Sequence, residues 1–126
     1  MKISSDDLST AMQKILSKYG NDVRDVVRRL VKKAGEEARD ELKQTSPRRT
    51  GRYAEHWMTS GYTWSTSGAE VTVSVAPPHY RLTHLLEYGH ANRNGGRTPA
   101  KVHIKPVEEE VKRELEKNVR QAIENV

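Results

Sequence analysis

The chain has 126 residues, of which 34% are hydrophobic and 31% charged, so the expectation is one domain (1–126) around a single thin core. The absence of cysteine excludes disulfides, thiolate metal sites and a Cys nucleophile. The net charge of +5 is concentrated in residues 44–105, which carry eight basic and three acidic groups, against ten and eight in residues 1–43 and four and six in residues 106–126.

Ser4, Ser5 and Asp6 offer N-caps to a first helix, in which Leu8, Ala11, Met12, Ile15, Leu16 and Tyr19 recur at the spacing of one helical face. Gly20, Asn21 and Asp22 are a stop and a fresh cap. Val23, Val26, Val27, Leu30, Val31, Ala34, Ala38 and Leu42 then predict a longer helix to about Lys43. The apolar phase runs through the break, which leaves a single bent helix open. Pro47 and Gly51 end the helical pattern. Thr, Tyr and Trp dominate Trp57 to Trp64, and after a turn over Ser65 to Gly68 the residues Val71, Val73 and Val75 alternate with polar ones. This predicts a β-hairpin with one buried face, closed by Pro77 and Pro78.

Leu82, Leu85 and Leu86 suit a short helix or turn ended by Gly89. His90 to Ala100, with its Asn, Gly and Pro, reads as a mobile loop. Val102 and Ile104, alternating with His103, predict a further short strand. From Pro106, the residues Val107, Val111, Leu115, Val119 and Ile123 form one apolar stripe at a spacing of four, which predicts a C-terminal helix over 106–126. The expected fold class is α+β: two N-terminal helix segments (1–43), a small antiparallel sheet of 3–4 strands with loops (44–105), and the C-terminal helix packed on the sheet.

No apolar run is long enough to span a membrane, and Met1 to Thr10 lacks the apolar core of a signal peptide. A soluble product made in the cytoplasm is expected.

Two runs in this order are characteristic: Ser46-Pro47-Arg48-Arg49-Thr50-Gly51-Arg52 at a helix end, and Leu85-Leu86-Glu87-Tyr88-Gly89-His90 before a Gly-rich loop. Through them the sequence resembles the HK-type gp-ten-like tail-component family of siphophages. Pro47, Thr50 and Gly51 match that family's helix-to-strand turn; Leu86, Glu87 and Gly89 match a second motif, and Ile104 and Pro106 a lead-in to the last helix. Tyr53 stands where the family usually has Leu, and His90 where it has Thr. The resemblance extends from Leu8 to Ile123 and implies a structural role at the head-tail junction or tail end of a virion, without catalytic residues. The implied partners are copies of the chain in a ring and other neck or tail proteins, with no membrane, small-molecule substrate or cofactor.

The residues also permit other readings. His56, His79, His84, His90 and His103 invite a metal site, but no pair has a ligand spacing used by zinc proteins; His79, His84 and Glu87 would be its ligands. His84, Glu87, Tyr88 and Arg93 are the candidates for an RNA-cleaving toxin, although nothing places an acid opposite a base. Arg48, Arg49, Arg52, Arg93, Arg97, Lys101 and Lys105, with Tyr53 and Trp57 nearby, suit non-specific contact with DNA in a ring lumen or with acidic faces of neighbouring subunits such as Glu108 to Glu110. Glu87 reads as an exposed helix residue in preference to a buried ionisable group. The long apolar face of the N-terminal helices is expected to exceed what one subunit covers.

Overall fold

The computed structural model describes residues 1–48, 51–65 and 68–125. In it the strand β3, Gly68–Val75, alternates buried and half-buried residues along its whole length, as its Val-Thr-Val-Ser-Val pattern requires of a sheet with one covered face. Its antiparallel hairpin partner is β2, Trp57–Ser65. Between Ser60 and Thr63 the register slips by one residue. Such a bulge changes which side chains face the core: Trp57 is buried before it, and Tyr62 packs against the core after it.

The third strand is not the one expected at Val102–Ile104. It is β1, Lys2–Ser4, which pairs with the other edge of β3 to give the order β1-β3-β2. The Met1 carbonyl and amino group extend the ladder to Val73. Three residues at the start of a chain give too short a pattern to declare a strand. What fixes β1 is the open edge of β3 and complete burial of Ile3.

Ser4 caps a 3-10 turn over Ser5–Asp7 rather than a helix, and Ser9 caps the first helix, α1 (Thr10–Leu16), through its Oγ to the Met12 N–H at 3.2 Å. A separate helix α2, Asn21–Thr45, follows from Gly20. It buries Val23, Val27, Val31, Ala34, Ala38 and Leu42, lies across the sheet and lines up with the last helix α5, Ile104–Glu124. At the sheet the approach is close enough that a Cβ at Gly35 would fall 2.6 Å from Val71 Cγ1. The stripe Val107, Val111, Leu115 and Val119 is buried as the sequence predicts, but α5 packs chiefly along α2 rather than on the sheet. The long face of α2 is thereby covered within one chain, contrary to the expectation of a surplus there.

A short helix α3 (Arg52–Glu55) precedes β2, and between β3 and α5 come α4 (Leu82–Tyr88), after a 3-10 turn at His79–Arg81, and a two-stranded ribbon, β4 (His90–Ala91) with β5 (Arg97–Thr98). The ribbon replaces the expected irregular loop. Its turn is closed by backbone bonds between Asn92 and both Gly95 and Gly96, chemistry that the Asn-Gly-Gly composition permits. If β1 is part of the core as described, Ile3→Ala should lower unfolding free energy by about 2 to 5 kcal/mol, measured by urea melts against the wild type.

Candidate functional site

Glu87, in the last turn of α4, is 7% exposed, which overturns the exposed reading. Its Oε1 accepts the backbone N–H groups of His103 (2.9 Å) and Ile104 (3.0 Å), and its Oε2 that of Lys105 (3.1 Å). These are the donors that the first turn of a helix leaves unpaired; α5 has no cap from its own N-cap side chain, and a carboxylate there also complements the helix dipole. Burial pushes the Glu87 carboxyl up, but the three N–H bonds and the nearby His103 together hold it below the ordinary glutamate value.

His103 sits within this arrangement, its Nδ1 2.7 Å from the Lys101 carbonyl and 3.1 Å from Glu87 Oε1. Both neighbours are acceptors, so Nδ1 carries a proton, and Nε2 lies 2.9 Å from the Tyr53 hydroxyl. Tyr53 also reaches Thr83 Oγ1 at 3.4 Å. Burial raises its phenol pKa, with Glu87 adding to that rise and the Thr83 bond opposing it. Edge-on ring contacts join Tyr53 to Trp57 (5.9 Å) and to His103 (5.6 Å). Trp57 Nε1 donates to Ser46 Oγ at 2.7 Å, at the end of α2.

One chain of contacts therefore runs Ser46–Trp57–Tyr53–His103–Glu87. It brings together three segments that are distant in sequence: the end of α2 with α3, the end of α4, and the start of α5. Gly51, φ +84°, starts α3 in the left-handed conformation expected of it. Gly89 has φ +74°, and a Cβ there would lie 2.6 Å from the Thr98 carbonyl oxygen, so the ribbon can fold back against α4 only without a side chain. Leu86 packs on the core, and its carbonyl accepts the Lys101 N–H at 2.7 Å. Pro47 follows α2, half-buried, and Pro106 lies exposed in the first turn of α5. Thr50 and Arg49 lie outside the described residues. Tyr53, His103 and Ser46 were not singled out as one site, since only the fold brings them within reach.

The remaining basic candidates do not form one patch. Arg48 donates to the Lys43 carbonyl, and Arg97 Nη2 to the Tyr88 carbonyl at 2.9 Å. Arg52, Arg93, Lys101 and Lys105 are exposed, Arg93 at the ribbon turn. The proposed metal set is not assembled, and of the toxin set only His84 and Tyr88 are in contact. The His79 ring lies against His56 and that of His84 against Tyr88 (centroids 4.7 and 4.9 Å), while Glu87 is committed to the α5 backbone. Among the described residues, no three His, Asp or Glu are grouped to hold a metal.

On the outside of α4 and of the segment leading to α5, Leu82, Leu85, Tyr88 and Val102 are 41%, 40%, 64% and 57% exposed. Spacing by three puts the first three on one side of the helix. Leu86 and Glu87 point the other way.

The sequence matches the model of the family described as "Bacteriophage HK97-gp10, putative tail-component" over residues 6–89. The chain belongs to this tail-component family. Searches of curated proteins and of solved structures found no significant match. Membership agrees with the motifs at Pro47–Gly51 and Leu86–Gly89, whereas the third, at Ile104 and Pro106, lies beyond the matched stretch. It makes the protein a phage tail-component-like structural protein, and no helix among the described residues is long and apolar enough to cross a membrane.

Replacing the Glu87 carboxylate leaves three N–H groups of α5 without their acceptor. Glu87→Ala should cost about 2 to 3 kcal/mol of stability, and Glu87→Gln, which retains one acceptor oxygen, less. Because the folded-state pKa of Glu87 is depressed, its contribution is present above the unfolded carboxylate value of roughly 4.3 and is lost as pH falls through the lower, folded value. Urea melts between pH 7 and pH 2.5 should show the wild-type advantage over Glu87→Ala shrinking only on that acid limb.

Proposed function

We propose that this tail-component protein is a non-enzymatic building block of the phage neck or tail end, which assembles with copies of itself into a ring for tail completion or head-tail joining. The observation that supports this most directly is the exposed apolar side of α4. In a chain with only 34% hydrophobic residues, Leu82, Leu85, Tyr88 and Val102 stand outside the core on a segment whose other side is pinned by Glu87. Apolar groups gathered on one side of a rigid element mark a contact surface. A closed ring needs heterologous contacts, one face of a subunit meeting a different face of the next.

In such an assembly the exposed Arg93 and Lys101 would meet DNA in the lumen, where non-specific positive charge suffices. An RNA-cleaving reading finds less support, because Glu87, its natural acid or base, is buried and bonded to backbone.

Sedimentation at rising protein concentration should show self-association of the wild type. Leu85→Ser/Tyr88→Ser should shift the equilibrium toward monomer while the melting temperature stays within a few degrees, since both side chains are largely exposed. A wild type that remains monomeric, alone and with other neck proteins of its phage, would remove the ring reading. Incubation with RNA and DNA, with and without Mg²⁺ or Zn²⁺, should leave the nucleic acids intact; turnover abolished by His84→Ala would overturn the non-enzymatic assignment.

A further inference from the structure

The helix pair is polar along its length. Residues 14–33 carry seven basic and two acidic side chains, whereas Glu36, Glu37, Asp40 and Glu41 crowd the second half of α2 and Glu108 to Glu110 the first turns of α5. Glu41 lies beside Glu110, so the start of α5 adjoins the end of α2. Seventeen helical residues separate Arg24 from Glu41, about 25 Å of axis at 1.5 Å per residue. The two ends therefore belong to opposite sides of the molecule.

At the basic end, where α1 and α2 meet the start of β3, there is an open cleft of about 270 Å³. Leu16, Val23, Val27 and Ala69 supply its apolar lining, and its charged lining is Arg24 and Arg28 with the single acidic Asp6. Arg28 is held in place by Asp25 at 2.8 Å and by the Trp64 ring at 4.2 Å. An apolar lining contributes nothing to a phosphate backbone, so the combination suits a protein surface that is both apolar and acidic. The far end of the same molecule carries both kinds of group: Glu87 ties the end of α4 to the first residues of α5, so the helix with exposed Leu82, Leu85 and Tyr88 neighbours the helix that begins with Glu108 to Glu110.

We propose that this cleft receives a second copy of the chain, with the acidic end formed by Glu41, Glu109 and Glu110 against Arg24 and Arg28 and the exposed side of α4 against the apolar lining. This rests on the ring reading and specifies which faces meet. The contact is heterologous, as a ring demands, and its charges fix register while the apolar area sets affinity. Burial and the neighbouring Glu110 both push the Glu41 carboxyl up, so an arriving guanidinium also relieves a repulsion present in the isolated subunit.

The test is charge reversal with rescue, read by sedimentation equilibrium of the full chain at low and moderate salt. Arg24→Glu and Glu110→Lys should each weaken self-association by about tenfold or more, because like charges then face one another. Arg24→Glu/Glu110→Lys in one chain should restore most of it. Arg24 is exposed, and Glu110→Lys removes a like-charge contact within the subunit, so neither variant should melt earlier than wild type. Failure of the double variant to recover, with both single variants folded, would overturn the pairing. Wild-type association in Arg24→Glu would do so too, and if that variant also lost binding to a duplex DNA oligonucleotide, the cleft would belong to nucleic acid. In either case loss of assembly in Leu85→Ser/Tyr88→Ser would leave the ring reading standing.

Discussion

The buried Glu87 carboxylate closing the first turn of α5 is the interaction on which the second half of the molecule depends. A helix start leaves N–H groups without intrahelical partners, and here one buried side chain from another helix supplies acceptors for three of them. The same residue sets the distance between α4 and α5 and approaches the ring of His103, through which Tyr53 and Trp57 connect back to Ser46 at the end of α2. The ribbon depends on the arrangement as well, since Gly89 directly follows α4 and the Leu86 carbonyl holds Lys101.

Around that junction the core is economical. Val, Ala and Leu on α2, α5 and β3 fill most of it, with Ile3 from β1 and with Trp57 and Tyr53 as its buried aromatic rings. Gly35 lets α2 come down onto β3 without a side chain between them, and α5 then closes the opposite flank of α2. With the apolar face of α2 covered, Leu82, Leu85 and Tyr88 of α4 and Val102 are among the large apolar side chains left exposed, together with Ile15, Met58, Trp64 and Tyr80.

This arrangement also accounts for the two kinds of residue in those motifs. Gly51 and Gly89 are backbone requirements, both at positive φ, although Gly51 leads into the short helix α3 rather than directly into a strand. Glu87 is a polar requirement that could not be read from sequence: a glutamate in a short amphipathic segment looks solvent-exposed until the helix whose amides it accepts is placed beside it. His103 behaves similarly. Its alternation with Val102 and Ile104 suggested a strand, yet that alternation arises from an inward histidine in an extended approach to α5, with Val102 left outside.

By itself the sequence determined the elements whose periodicity is long: α2 and α5 at a spacing of four, the β2–β3 hairpin at a spacing of two, and the turns at Gly51 and Gly89. Burial of one face imposes those periods, so each can be recognised from its own residues, and the family motifs added the class of protein. Tertiary structure alone decided what depends on partners distant in the chain. The N-terminal strand exists because β3 has an open edge, α5 lies on α2 because the apolar stripes of the two helices match, and Glu87 is buried because an uncapped helix start is adjacent. None of these leaves a periodic signal, since a single hydrogen-bond acceptor or a three-residue strand is specified by its neighbours in space rather than in sequence.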